Sequence, residues 1–174
     1  MDEAAFDDFY TGSFRRLCGQ LHAMIGNAEE AADCVQEAFV RAWDHRAELD
    51  RDAHPEAWVR TTAHRLAVSR WRRVQRSLRP PDRSHGPSRT GTPPGPDRVA
   101  VIEALKQLPE SQRRTLVLHH VCDLSVADVA RELGVPEGTV KARLSRGRTA
   151  LAALLDPAAD DVFDARGPEG ASRA

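Results

Sequence analysis

Between Leu124 and Arg148 the chain reads LSVADVARELGVPEGTVKARLSRGR, and the chemistry open to residues at that spacing is hydrogen bonding to DNA. Val140, Leu144 and Leu151 recur at helical spacing. With that stripe turned inward, Lys141, Ala142, Ser145 and Arg146 face outward, and Thr139, Arg143 and Arg148 lie along the flanks. Lysine and arginine donate to guanine edges in the major groove, and small Ala142 and Ser145 let the backbone approach the bases. Arg143 and Arg148 suit phosphate contacts, which fix position and carry no sequence information. An amphipathic helix with a merely solvated basic face is the bland alternative. The turn chemistry just before the helix argues against it, because local signals and the charged face agree.

A second cluster has a different chemistry. Trp58, Thr61, Arg65, Arg72 and Arg76 fall opposite an apolar stripe of Val59, Ala63, Leu66, Ala67, Val74 and Leu78. An exposed indole stacks on an unpaired base for roughly 1–3 kcal/mol, while arginines follow the strand's phosphates. For Trp58 alone, sideways packing on the preceding helix is the better reading; for the cluster as a whole it is nucleic acid. Metal ligation is not supported. Cys18 and His22 are separated in the chain from His119, His120 and Cys122, and no CxxC pair is present. No Gly-rich phosphate loop or nucleophile elbow accompanies the Ser, Cys and His residues, so no catalytic residue and no cofactor are assigned.

These residues need helices to position them. Ser125 caps one, with Asp128 completing a capping box; Val129, Ala130 and Leu133 form its buried stripe, and Gly134 ends it. Pro136 suits the first turn of the next helix. At the front of the chain, Phe6, Tyr10, Phe14, Leu17, Leu21 and Ile25 keep helical spacing up to Gly26. Asn27 caps a second helix, with Glu30 completing the box and Val35, Phe39, Ala42 and Trp43 inward. A polar loop is expected from about Ala47 to His54, and Pro55 opens the third helix. Beyond the third helix, Val99, Ile102, Leu105 and Leu108, then Leu116, Val117 and Val121, lead into the helix-turn-helix.

The expected fold is all-α: two small helical domains joined by a flexible linker rich in Pro, Gly and Arg. The first occupies residues 1–76, the linker 77–98, the second 99–155, and an acidic disordered tail 156–174. Six prolines between Ser77 and Asp97, with no apolar periodicity, deny the linker a core. Overall charge is −1 at pH 7, which looks unpromising for a nucleic-acid binder, but it is segregated. Met1–Arg60 holds thirteen acidic against six basic residues, whereas Thr61–Arg89 holds eight arginines against Asp82 alone. Two partners of opposite character are implied. Three widely spaced cysteines, no signal-like start and no long apolar run point to a soluble protein of the cytoplasm.

DCVQEAFVRAW at 33–43, followed by AWVRTTAHRLAVSRWRR at 57–73, resembles region two of an extracytoplasmic-function (ECF) sigma factor of the sigma-70 family, in its actinobacterial form. LPESQRRTLVLHHVCDLSVADVARELGVPEGTVKARLSRGRTAL at 108–151 resembles region four. The resemblance implies a non-catalytic subunit that aims bacterial RNA polymerase at promoters. It implies that Asp33, Gln36, Glu37, Phe39, Arg41 and Trp43 dock on the polymerase clamp coiled coil, and that the helices from Leu108 to Val121 meet the flap. It further implies that the loop from Arg46 to Pro55 and the helix from Trp58 to Arg76 engage the minus-ten element. Lys141, Ala142, Ser145 and Arg146 would read the minus-thirty-five element. Regulation is expected from an anti-sigma factor, from expression, or from the tail; no membrane is involved. The rival reading is a stand-alone helix-turn-helix regulator.

Overall fold

The computed structural model describes residues 1–49, 54–76 and 95–156, and among the described residues it has eight α-helices and no strand. They are α1 (Glu3–Ile25), α2 (Ala28–Asp44), α3 (Arg46–Leu49), α4 (Pro55–Arg76), α5 (Pro96–Gln107), α6 (Glu110–His120), α7 (Val126–Leu133) and α8 (Glu137–Leu155).

Local chemistry sets most of the ends. Asp2 Oδ1 accepts the Ala5 N–H at 2.9 Å to start α1, and Gly26 ends it in the left-handed region at φ 77°. Asn27 Oδ1 accepts the Glu30 N–H at 3.0 Å, as expected of a cap. The Glu30 carboxylate does not return to close the box; its Oε1 lies 3.4 Å from both Cys34 Sγ and Arg70 Nη1. At α7 the box closes through side chains: Ser125 Oγ accepts the Asp128 N–H at 3.1 Å and donates to Asp128 Oδ2 at 2.6 Å. That bond, with Arg131 nearby, holds the Asp128 carboxyl below the usual carboxylate range.

α1, α2 and α4 pack around Leu17, Leu21, Met24, Val35, Ala38, Val59 and Ala63, all buried. Full burial of a large aliphatic side chain contributes roughly 1.5–3 kcal/mol. Phe6 stacks edge-on against Phe39 and Trp43, with centroids 6.2 and 5.1 Å away. α5 to α8 enclose Leu116, Val117, Leu118, Val129, Val140 and Leu144. Gly134, at φ 65°, turns α7 towards α8 as the sequence predicts.

Several expectations change. The polar loop contains α3, whose Leu49 is buried because an apolar side chain there completes the floor of the first bundle. Val74, placed inward on the α4 stripe, is exposed, because α4 runs beyond the helices it packs on. Pro96, Asp97 and Arg98 begin α5 and do not end a linker, Pro96 taking the first-turn position that proline favours. The linker over 77–94, the tail over 157–174 and Leu78 lie outside the described residues. The helical halves are not held apart: α1 packs on α5 and α6 as well as on α2 and α4.

Candidate nucleic-acid interface

α8 carries the first surface. Gly147 is buried where α8 crosses α6, so that Leu116 sits directly on the α8 backbone. This fixes the helix by its inner face and leaves Lys141, Ala142, Ser145, Arg146 and Arg148 exposed, with Thr139 and Arg143 half-buried on the flanks. The predicted outward set is therefore brought together on one face. Among the described residues Lys141, Arg143 and Arg148 have no ion-pair partner, so their donors remain available to a ligand. Arg146 Nε lies 3.3 Å from the Ala142 carbonyl, folding the guanidinium along the helix.

α4 carries the second surface, less uniformly than expected. Trp58, Thr61 and Arg65 line one side of a cleft of about 930 Å³ that Asp128, Arg131 and Glu132 of α7 line opposite. Trp58 is half-buried against the core, its ring 5.8 Å from that of His45. Arg65, Arg72 and Arg76 are exposed, and Arg76 Nε donates to the Arg72 carbonyl at 3.3 Å. Trp71 was missed. It is 62 % exposed between Arg70 and Arg72, and its signal was an aromatic off the apolar stripe in a basic run. Nor do all the α4 arginines point to solvent. Arg60 is buried, and Arg70 Nη2 donates to Glu37 Oε2 at 2.6 Å across to α2.

α2 carries the third surface. Asp33, Gln36 and Arg41 are exposed and Glu37 is half-buried. Glu37 accepts from Arg41 and Arg70, each at 2.6 Å, and these bonds, Arg70 foremost, lower its pKa. Phe39 does not belong to this surface: it is 3 % exposed within the cluster of Phe9, Tyr10 and Phe14, because its position on α2 faces α1. Trp43 is half-buried against Phe6, with the Arg46 guanidinium 4.4 Å above its ring. Val40, 62 % exposed beside Glu37 and Arg41, is an apolar member that the sequence reading passed over.

The thiols are spread through the fold and poorly ionised. Burial pushes Cys18 and Cys122 up to about 11 and Cys34 up to about 12. His119 Nδ1 lies 2.7 Å from the Leu124 carbonyl. Among the described residues no helix is long and apolar enough to cross a membrane.

Residues 9–77 match the family model for sigma-70 region 2, and residues 98–151 match that for sigma-70 region 4. The chain is 32 % identical over 154 residues to the ECF RNA polymerase sigma factor SigM of Mycobacterium tuberculosis, covering 88 % of this chain and 79 % of that one. It is 30 % identical over 173 residues to the ECF RNA polymerase sigma factor SigW of Bacillus subtilis, covering 86 % and 88 %. Among solved structures, the sigma factor RpoE from Bartonella quintana, crystallised with the anti-sigma factor NepR, has the same fold. Its TM-score is 0.74 at 24 % identity, over 87 % of this chain and 97 % of that one. CnrH, solved with the cytosolic domain of CnrY, gives 0.63 at 23 % identity, over 90 % of each. The chain belongs to the sigma-70 family of RNA polymerase sigma factors, in its extracytoplasmic-function branch. It is an initiation factor that directs core polymerase to specific promoters and assists their melting. Relatives from Mycobacterium and Bacillus match about equally, so the similarity defines the family and no subgroup within it.

Proposed function

We propose that the three surfaces divide the work of initiation. The exposed face of α8, with Lys141, Ala142, Ser145 and Arg146 central and Thr139, Arg143 and Arg148 flanking, reads the minus-thirty-five element in the major groove. α4 captures the opening minus-ten strand, Trp58, Thr61 and Arg65 contributing from the cleft and Arg72 and Arg76 from the outer turns. Trp71 joins this set, since an exposed indole among guanidiniums is a base-stacking platform. Asp33, Gln36, Glu37, Val40 and Arg41 dock on the polymerase clamp, with Trp43 at the edge. The acidic front of the chain repels DNA and favours a protein partner there. The domains run over residues 1–76 and 99–155, α5 opening slightly before the second.

The observation that carries this reading is the sorting of charge by helix: partner-free basic donors on α8, exposed arginines on α4 and carboxylates on the outer face of α2. On it, strand opening needs no catalytic group in this chain. Each captured base offsets a stacking loss of a few kcal/mol, and polymerase supplies the chemistry. The protein works in the cytoplasm beside polymerase, and an anti-sigma factor of the kind seated on the Bartonella relative is its regulator.

The experiment is in vitro transcription with core polymerase from a related bacterium, mapping starts on genomic template. Discrete new starts behind two spaced upstream motifs are expected. Footprints without polymerase, and no new starts, would return the chain to the stand-alone regulators.

A further inference from the structure

One carboxylate stands at the tip of the basic helix α8. Glu137 is the first residue of that helix and is exposed. Lys141 follows one turn later, at the spacing and in the order that favour a Glu–Lys pair. Yet among the described residues neither side chain has a hydrogen-bond or ion-pair partner. A carboxylate in a first turn also complements the helix macrodipole, and that role alone would leave it indifferent to DNA sequence. Its surroundings point further. Pro136 gives α8 no side-chain cap, and Gly138 has nothing within 4 Å of the place a β-carbon would occupy. Ala142, one turn beyond Gly138, is small and exposed. The start of α8 is thus cleared of bulk around a single acidic side chain.

A recognition helix meets base edges with its N-terminal residues. A carboxylate placed there accepts hydrogen bonds and donates none. In the major groove guanine offers N7 and O6 and thymine offers O4, all acceptors that repel it. Adenine offers an amino group, but with the acceptor N7 beside it, which opposes the second carboxylate oxygen. Cytosine offers its N4 amino group with no acceptor alongside. Phosphates repel the carboxylate as well, so it gains only when aimed at the groove floor. Lys141, about 6 Å away between β-carbons, has the opposite preference and suits a neighbouring guanine.

We propose that Glu137 is a specificity-determining residue: from the tip of α8 it accepts a hydrogen bond from the N4 amino group of one cytosine in the upstream element and rejects guanine and thymine at that position. This rests on the reading of α8 as the minus-thirty-five helix. Glu137 contributes to discrimination more than to affinity, because repulsion from the wrong base separates sequences as effectively as attraction to the right one.

The test uses holoenzyme assembled from core polymerase and the full chain, selecting promoters from a template randomised through the upstream element. Glu137→Gln keeps the shape but adds a donor, and an amide reads adenine through N6 and N7. The parent is expected to select cytosine at one upstream position. In Glu137→Gln that preference should fall about tenfold, with adenine now accepted there. In Glu137→Ala the position should become indifferent while the others keep their bases. Arg146→Ala is selected in parallel. If it relaxes other upstream positions while both Glu137 variants keep the parent's profile, the carboxylate serves only the helix and the proposal is overturned. A loss equal on every sequence in the Glu137 variants overturns it too. If none of the three variants alters any upstream position, the α8 reading itself fails.

Discussion

A β-carbon on Gly147 would stand 2.9 Å from Leu116 Cδ1 and 3.4 Å from Gln112 Cβ, so α8 crosses α6 at a distance only glycine permits. Leu116 is itself buried and cannot swing aside into solvent. Gly147→Ala should destabilise the chain by about 1–3 kcal/mol through overpacking. α8 would shift as a unit, so on the proposed reading duplex affinity should fall alike on every sequence. Urea unfolding and binding of holoenzyme to matched and scrambled upstream elements check both parts.

Arg146→Ala should behave differently. The side chain is exposed on the α8 face and supports no packing. Stability should stay within about 0.5 kcal/mol, while holoenzyme binding weakens by roughly 1–3 kcal/mol and preference relaxes at one or two upstream base pairs. Transcription from a randomised upstream element reads the preference directly; a uniform loss would make Arg146 a phosphate contact.

Trp58 and Trp71 should separate stacking from packing. Trp71→Ala should leave unfolding unchanged and reduce permanganate reactivity of the promoter bubble, losing roughly 1–3 kcal/mol of base stacking. Trp58→Ala should lower stability as well, since its ring packs on the core and beside His45. Equal bubble reactivity in Trp71→Ala and parent would remove that indole from strand capture.

His64 gives the fold an acid limb. Burial holds its pKa down to about 4, with Arg114 and Arg113 pushing the same way, while Glu110 Oε1 stands 3.7 Å from Nε2 at the exposed rim. The ring is therefore neutral at pH 7, and its contact with Glu110 is not an ion pair there. The unfolded chain binds this proton near pH 6.5, before the folded chain does. Its contribution is complete above pH 6.5 and is lost as pH falls towards 4, on the order of 3 kcal/mol. Unfolding free energies at pH 7 and 4.5 should differ less in His64→Gln than in the parent.

The caps at Asn27, Ser125 and Gly134 were readable because each depends on residues within one turn of itself. So was the α8 face, whose inner stripe and outer donors follow from a single period. Leu49 was not, because one apolar residue in a polar run has no periodicity to betray it. Phe39 shows the limit of motif reasoning: the resemblance places it on an outward docking face, but its ring is buried against Phe6 and Phe9, thirty or more residues away. Arg60 and Glu132 lie 72 residues apart in separate halves, and no local signal joins them. Charge along α4 marked its arginines as cations but could not tell Arg60, neutralised within the protein, from Arg65, left to solvent.

α1 forms a wall common to both halves, with Gln20 and Ala23 buried along it and Ile102 and Leu105 buried on α5 nearby. Any separation of the halves must wet this wall. Substitutions along it therefore change how firmly the two halves cohere while leaving the exposed α8 face unaltered, so cohesion and surface chemistry can vary separately.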